Sequence, residues 1–191
     1  QTGYLTIREV REDLVGRRTY LLDYPNMEVK SSLNRWILNE MVQDVVAKTE
    51  NENELVQAIL ENRPSDLKAV FQRFFASIPH DWYRKNQLAG YEGYYASIFY
   101  CYFAASGFQV KAEDATNLGR MDMSVFYGNT VYIFEFKVIE NGSENSAMEQ
   151  LLKKQYHQKY EKPGTTLFLI AVEFSKEDRN IKHFEMKKAG I

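Results

Sequence analysis

Gly119-Arg120-Met121-Asp122-Met123-Ser124-Val125-Phe126-Tyr127, then Gly128-Asn129, then Thr130-Val131-Tyr132-Ile133-Phe134-Glu135-Phe136-Lys137 is the stretch whose reading decides the fold. Gly-Asn between two β-rich runs reads as a two-residue hairpin turn. Tyr127 then pairs with Thr130. Stepping outward from the turn along both strands sets Asp122 opposite Glu135. Glu135 and Lys137 lie two apart on one strand and share a face. Two like charges facing each other across a sheet repel, so the pair is most easily kept if a cation sits between them. Two carboxylates around a hard divalent ion, with an ammonium group alongside, suit phosphodiester chemistry. A one-residue slip of register would put the two carboxylates on opposite sides of the sheet and leave a purely structural domain.

Working outward, Gln1 to Arg8 and Arg18 to Leu22 read as strands joined by a charged turn containing Gly16. Ser31 or Ser32 is expected to cap a helix through Ala47 that carries Leu33, Trp36, Ile37, Met41 and Val45 on one face. The polar run Thr49 to Asn53 reads as a boundary, followed by a helix over Glu54 to Glu61. Pro64-Ser65-Asp66 opens another helix with Leu67, Val70, Phe71, Phe74 and Phe75 as its apolar face, and Pro79 stops it. Asn86 to Ser106 is an aromatic helix closed by Gly107. Phe108 to Ala112 is a strand, Leu118 to Tyr127 and Thr130 to Ile139 are the hairpin, and Asn141-Gly142 breaks the chain. Ser143 or Ser146 caps a helix through Tyr160. Thr166 to Phe174 is apolar enough to be buried on both faces, and Ile181 to Lys187 alternates like a strand. From Asn86 the order is helix, three strands, helix, strand, strand: an α/β chain with a mixed sheet and helices against it.

The 191 residues, with 45% hydrophobic and 14% aromatic content, fit one globular core with a small appended piece. Cys101 stands alone in an aromatic run, which excludes an internal disulfide and a thiolate metal site and indicates a reducing, cytoplasmic compartment. No apolar run approaches the roughly 20 residues of a membrane span. The net charge of −2 is not that of a globally basic nucleic-acid binder, although residues 150–191 are richer in Lys and Arg than the rest. The chain opens at Gln1 directly into a strand and is read as a piece of a longer protein. His80, His157 and His183 have no metal-ligand spacing. Tyr94, Tyr95, Phe99, Tyr100 and Phe103 are read as core rather than as base-stacking rings.

Asp122, Glu135-Phe136-Lys137 and the following Ala147-Met148-Glu149-Gln150 resemble the PD-(D/E)XK nuclease superfamily, with Met121 where the superfamily name has proline. The resemblance implies a restriction-endonuclease-like αβββαβ core. Gly3-Tyr4-Leu5-Thr6-Ile7 and Pro25-Asn26-Met27-Glu28-Val29 are similar to segments of bacterial proteins that join an AAA-ATPase-like domain to a C-terminal nuclease-like one. By that likeness residues 1–47 are a hairpin-plus-helix remnant of an ATPase-like region and residues 48–191 the nuclease-like domain. No phosphate-binding loop occurs in the chain.

The resemblance implies Mg²⁺ or Mn²⁺ held by Asp122, Glu135 and the Phe136 carbonyl, with Lys137 orienting the attacking water. Glu92, on the preceding helix, and Gln150 join the catalytic set. Arg120, Lys154 and Tyr156 are expected at substrate phosphates. The expected substrate is nucleic acid, DNA in the first instance. The alternative is a catalytically silent nuclease-fold module that serves an ATPase-like region as a binding or regulatory platform.

Overall fold

The computed structural model describes residues 3–42, 44–79, 88–117, 119–139 and 146–189, and the side chains of 45, 46 and 146 are outside the description. His80, Asn86, Leu118, Asn141-Gly142 and Ser143, used in the sequence reading, fall outside the described residues. The elements are β1 (Thr6–Glu12), β2 (Arg18–Asp23), α1 (Met27–Met41), α2 (Val45–Leu60), α3 (Leu67–Ser77), α4 (Glu92–Ala105), β3 (Gln109–Thr116), β4 (Gly119–Tyr127), β5 (Thr130–Ile139), α5 (Ser146–Lys154), β6 (Thr166–Ser175) and β7 (Asn180–Ala189). β1 and β2 form a separate antiparallel hairpin. The other five strands form one mixed sheet in the order β3-β4-β5-β6-β7. Among the described residues only the β5–β6 pair is parallel, and α5 lies in the connection between those two strands, as a parallel crossover requires. This is the α/β, restriction-endonuclease-like architecture expected from the sequence, with the αβββαβ run spanning α4 to β6.

The hairpin register is the one the turn implies. Gly128 has φ 54°, the left-handed position that a two-residue hairpin turn needs. Tyr127 pairs with Thr130, and the ladder continues to Met123 opposite Phe134. Two apolar clusters cover the two faces. The larger one joins Met123, Val125, Phe134 and Phe136 to side chains of α1 to α4. Phe71 stacks on Phe99 at 3.5 Å, and Tyr95 on Phe174 at 3.9 Å. The smaller one gathers Ile133, Leu169 and Ala171 under Met148 and Leu151 of α5, with Tyr156 beside them.

Several helix boundaries differ from the sequence expectation. α1 begins at Met27 rather than Ser31, because the Asn26 side chain accepts the Val29 N–H and caps the helix first. It ends at Met41, short of Ala47. The polar run Thr49 to Asn53 lies inside α2 instead of marking a boundary. Its polarity is explained by partners: Asn51 accepts from Arg73, and Glu52 pairs with Arg35 at 2.7 Å. The helix expected through Tyr160 stops at Lys154. Gln155 turns left-handed (φ 47°), and a short 3-10 segment runs from Tyr156 to Tyr160. β3 continues four residues past Ala112, to Thr116. Cys101 is buried, and burial pushes its thiol up to about 11. Among the described residues no helix is long and apolar enough to cross a membrane.

Candidate active site

The site arises where β4 leaves β5. Pairing between them is regular from the turn to Met123. On the other side of β4, pairing with β3 skips Glu113 and Asp122. Glu113 adopts φ 48°, a left-handed conformation that breaks the extended strand. The alternation of β4 breaks at the same level: Met123 packs in the larger cluster and Met121 in the smaller one, although residues two apart in a regular strand share a face. β4 and β5 thus fork at Asp122.

A fork leaves the inner N–H groups of β5 without strand partners, and buried backbone donors must find acceptors. Two carboxylates supply them. The Phe136 N–H donates to Asp122 Oδ2 at 2.8 Å, and the Val138 N–H donates to Glu92 Oε1 at 3.4 Å. Glu92 comes from the first turn of α4. Its other oxygen is 3.6 Å from Lys137 Nζ. Asp122 and Glu92 are therefore positioned by the same strand that carries Glu135 and Lys137.

Glu135 is 1% exposed. Gln150 Nε2, from α5, donates to its Oε1. Its Oε2 is buried with no hydrogen-bond partner among the described residues. Burial, then the nearby Asp122 charge, push the Glu135 carboxyl up to about 8; Glu92 adds to this, and Lys137 and the Asp122 N–H pull it back only in part. Burial also raises Asp122, against the Phe136 N–H and Lys137, which draw it down. An orphaned, buried carboxylate oxygen beside a second carboxylate is a costly arrangement in the absence of a cation. Among the described residues no three His, Cys, Asp or Glu side chains form a metal cluster. A cation here would draw on two carboxylates, backbone oxygen and water, a donor set that suits a hard ion.

The remaining predicted residues lie at different distances from this centre. Phe136 points its ring into the larger core, 4.9 Å from Phe99, while its backbone stays in the fork. Tyr156 is buried, and its hydroxyl lies within hydrogen-bonding reach of Gln150. Arg120 is exposed and pairs with Glu113 at 2.5 Å. Lys154 is exposed on the last turn of α5. Asp122, Glu135, Lys137, Glu92 and Gln150 are thus brought together, Tyr156 backs them, and Arg120 and Lys154 sit on the surface.

The family model of the PD-(D/E)XK nuclease superfamily matches residues 90–184. That segment is a PD-(D/E)XK nuclease superfamily domain. Its match begins beside Glu92 and ends within β7, so it takes in the whole fork. A curated relative from Azotobacter chroococcum mcd 1, described as an uncharacterized protein in the vnfD 5′ region, is 44% identical over 190 residues. The alignment covers 100% of this chain and 37% of the relative, so the chain spans little more than a third of that protein's length. No solved structure matches the chain.

Two residues of the PD-(D/E)XK domain escaped the sequence reading. Glu113 pairs with Arg120 and adds to the charge that raises Asp122. Nothing in its local sequence marks the left-handed turn. Glu173 is 2% exposed on β6 and accepts the Ala147 N–H at the start of α5, the helix that delivers Gln150. A signal for it existed: a carboxylate inside the apolar run Leu167 to Phe174 needs a partner.

Proposed function

We propose that the chain hydrolyses nucleic-acid phosphodiester bonds with Mg²⁺ or Mn²⁺ held by Asp122, Glu135 and the Phe136 carbonyl. The observation that carries this reading is Glu135 Oε2, buried next to a second carboxylate and without a hydrogen-bond partner among the described residues. The ion would supply charge neutralisation at phosphorus. Lys137 holds the attacking water and counters charge on the phosphoryl oxygens as the P–O bond to the leaving group breaks. Glu92 keeps the Lys137 ammonium in place. Gln150 fixes the orientation of Glu135, and Tyr156 acts through Gln150. Arg120 and Lys154 meet phosphates further along the strand, Arg120 by leaving Glu113. DNA is the proposed substrate, and a reducing cytoplasm is the compartment that suits the lone Cys101.

The test is cleavage of labelled DNA by the full chain with Mg²⁺ or Mn²⁺. Lys137→Ala should slow it by about 10²-fold or more, the usual loss when a charge-stabilising donor is removed. Equal cleavage by wild type and this variant rejects the reading.

A second reading draws on the β1–β2 hairpin. Leu5, Ile7, Val10, Tyr20 and Leu22 on it are each about half exposed, and an isolated two-stranded hairpin is marginal in water. We propose that residues 1–47 close a preceding, AAA-ATPase-like region and that residues 48–191 are the nuclease-like domain. The relative's greater length leaves room for such a region. If no divalent ion supports cleavage, the fold serves that region as a binding module.

A further inference from the structure

We propose that the cavity beside Asp122 and Glu92 receives one unpaired nucleobase of the substrate strand, which directs the chain to single-stranded or frayed nucleic acid. This rests on the phosphodiesterase reading above. The cavity holds about 570 Å³ between α1, α4, β3 and β4. That is within the range of small-ligand sites, about 300–1,000 Å³.

Its walls divide by chemistry. Three carboxylates line it, Glu92, Glu113 and Asp122, and of these Asp122 and Glu92 also hold the backbone of the fork. Tyr24 and Tyr100 supply the aromatic surface, and Ile37 and Ala112 add apolar lining. An occupant that fits this lining carries a phosphate-bearing end for the carboxylates, with a cation between, and a flat, largely apolar body for the tyrosines. A nucleotide with its base turned inward has that shape. Aromatic faces bind any base by stacking. The rings are held in place: Tyr100 and Tyr24 share a hydrogen bond, and the buried Asn34 amide donates to the Tyr24 hydroxyl at 3.4 Å.

Small residues keep the space open. A Cβ at Gly93 would meet none of the described residues within 4 Å, and Ala96 and Ser97 line the next turn of α4. A base inside a duplex must leave its stack to enter such a pocket, and an unpaired base has least to lose. Tyr24 and Asn34 precede the segment matched by the family model, so the N-terminal part of the chain builds part of the recognition wall.

The experiment measures binding of labelled oligonucleotides by fluorescence anisotropy. It uses the full chain with Mg²⁺, in a Lys137→Ala background that spares the strand. Single strands, DNA and RNA in separate arms, should bind about tenfold more tightly than duplex of equal length. Scanning one abasic nucleotide along the strand should find one position where affinity drops about tenfold, the scale of one lost base stack. Ala96→Phe fills the cavity and should erase both differences, leaving the abasic strand's affinity and calorimetric Mg²⁺ binding unchanged. Gly93→Leu gives the same readout from the open side of the helix if Ala96→Phe does not fold. A flat abasic scan, or equal binding of duplex and single strand, overturns the proposal. If wild type cleaves DNA and Ala96→Phe cleaves single strands equally well, the base pocket falls and the phosphodiesterase reading stands. Base discrimination without cleavage does the reverse.

Discussion

Replacing Glu135 with glutamine should stabilise the metal-free protein at alkaline pH while removing its response to metal. The Glu135 carboxyl is pushed from its ordinary 4.5 up to about 8 by burial and by Asp122. The folded state therefore holds this proton more tightly than the unfolded chain. Stability from that preference is complete below the ordinary carboxylate value and is lost as pH rises through about 8. At about 1.4 kcal/mol per pH unit of displacement, the ceiling on the loss is roughly 5 kcal/mol. Water entering the fork and movement of Asp122 reduce it, to about 2 kcal/mol as an expectation. Glutamine carries no charge to desolvate, and its oxygen still accepts from Gln150. In chelator at pH 8.5, Glu135→Gln should melt roughly 4–8 °C above wild type, and the gap should close near pH 5. Saturating Mg²⁺ at about 100 times its dissociation constant should add about 2.7 kcal/mol to wild type and nothing to the variant. Differential scanning calorimetry across pH, with and without Mg²⁺, reads all of this. A variant that melts below wild type at pH 8.5 in chelator, or a gap independent of pH, refutes the reasoning.

Two further substitutions probe the support of the fork. A Cβ at Gly119 (φ 139°) would lie 3.2 Å from the Tyr156 hydroxyl, so Gly119→Ala should cost about 1–3 kcal/mol in urea denaturation. Tyr156→Phe in the same chain should return part of that loss, because the next atom is 3.7 Å away. Asp114 is 7% exposed and holds Lys159 Nζ at 2.5 Å, the Tyr160 hydroxyl and Ser124. Burial raises this carboxyl, but Lys159 and Tyr160 outweigh it, so its proton affinity is lowered on folding. Asp114→Asn should then cost about 1–3 kcal/mol at neutral pH. The difference from wild type should shrink as acid protonates Asp114 through its lowered range.

The fold was legible because a few residues have only one good use. Gly128-Asn129 sets the hairpin register, and the pairs from Tyr127–Thr130 to Met123–Phe134 follow from it. The apolar run Leu167 to Val172 reads as a strand covered on both faces, and it lies between β5 and β7. Leu67, Val70, Phe71, Phe74 and Phe75 are all buried as helical spacing requires. The site was legible only to the level of the register. Regular pairing would set Asp122 squarely opposite Glu135, whereas the strands fork there and Asp122 bonds the Phe136 N–H with its side chain. That fork depends on Glu113 in a left-handed conformation, which neither glycine nor asparagine announces. Gln155 at φ 47° ends α5 in the same unannounced way. Asn26 caps α1 ahead of Ser31 and Ser32, which carry the same capping chemistry more than a turn later. The cavity depends on Tyr24 and Asn34 meeting α4 across the packed chain, a tertiary contact with no local signature.

The most direct measurement is a Mn²⁺ soak of crystals of the chain, read by anomalous scattering. One peak in the fork, with oxygens of both Asp122 and Glu135 at roughly 2.1 Å, is the predicted result. Mn²⁺-dependent cleavage by the same preparation, with no peak between those two carboxylates, would contradict it.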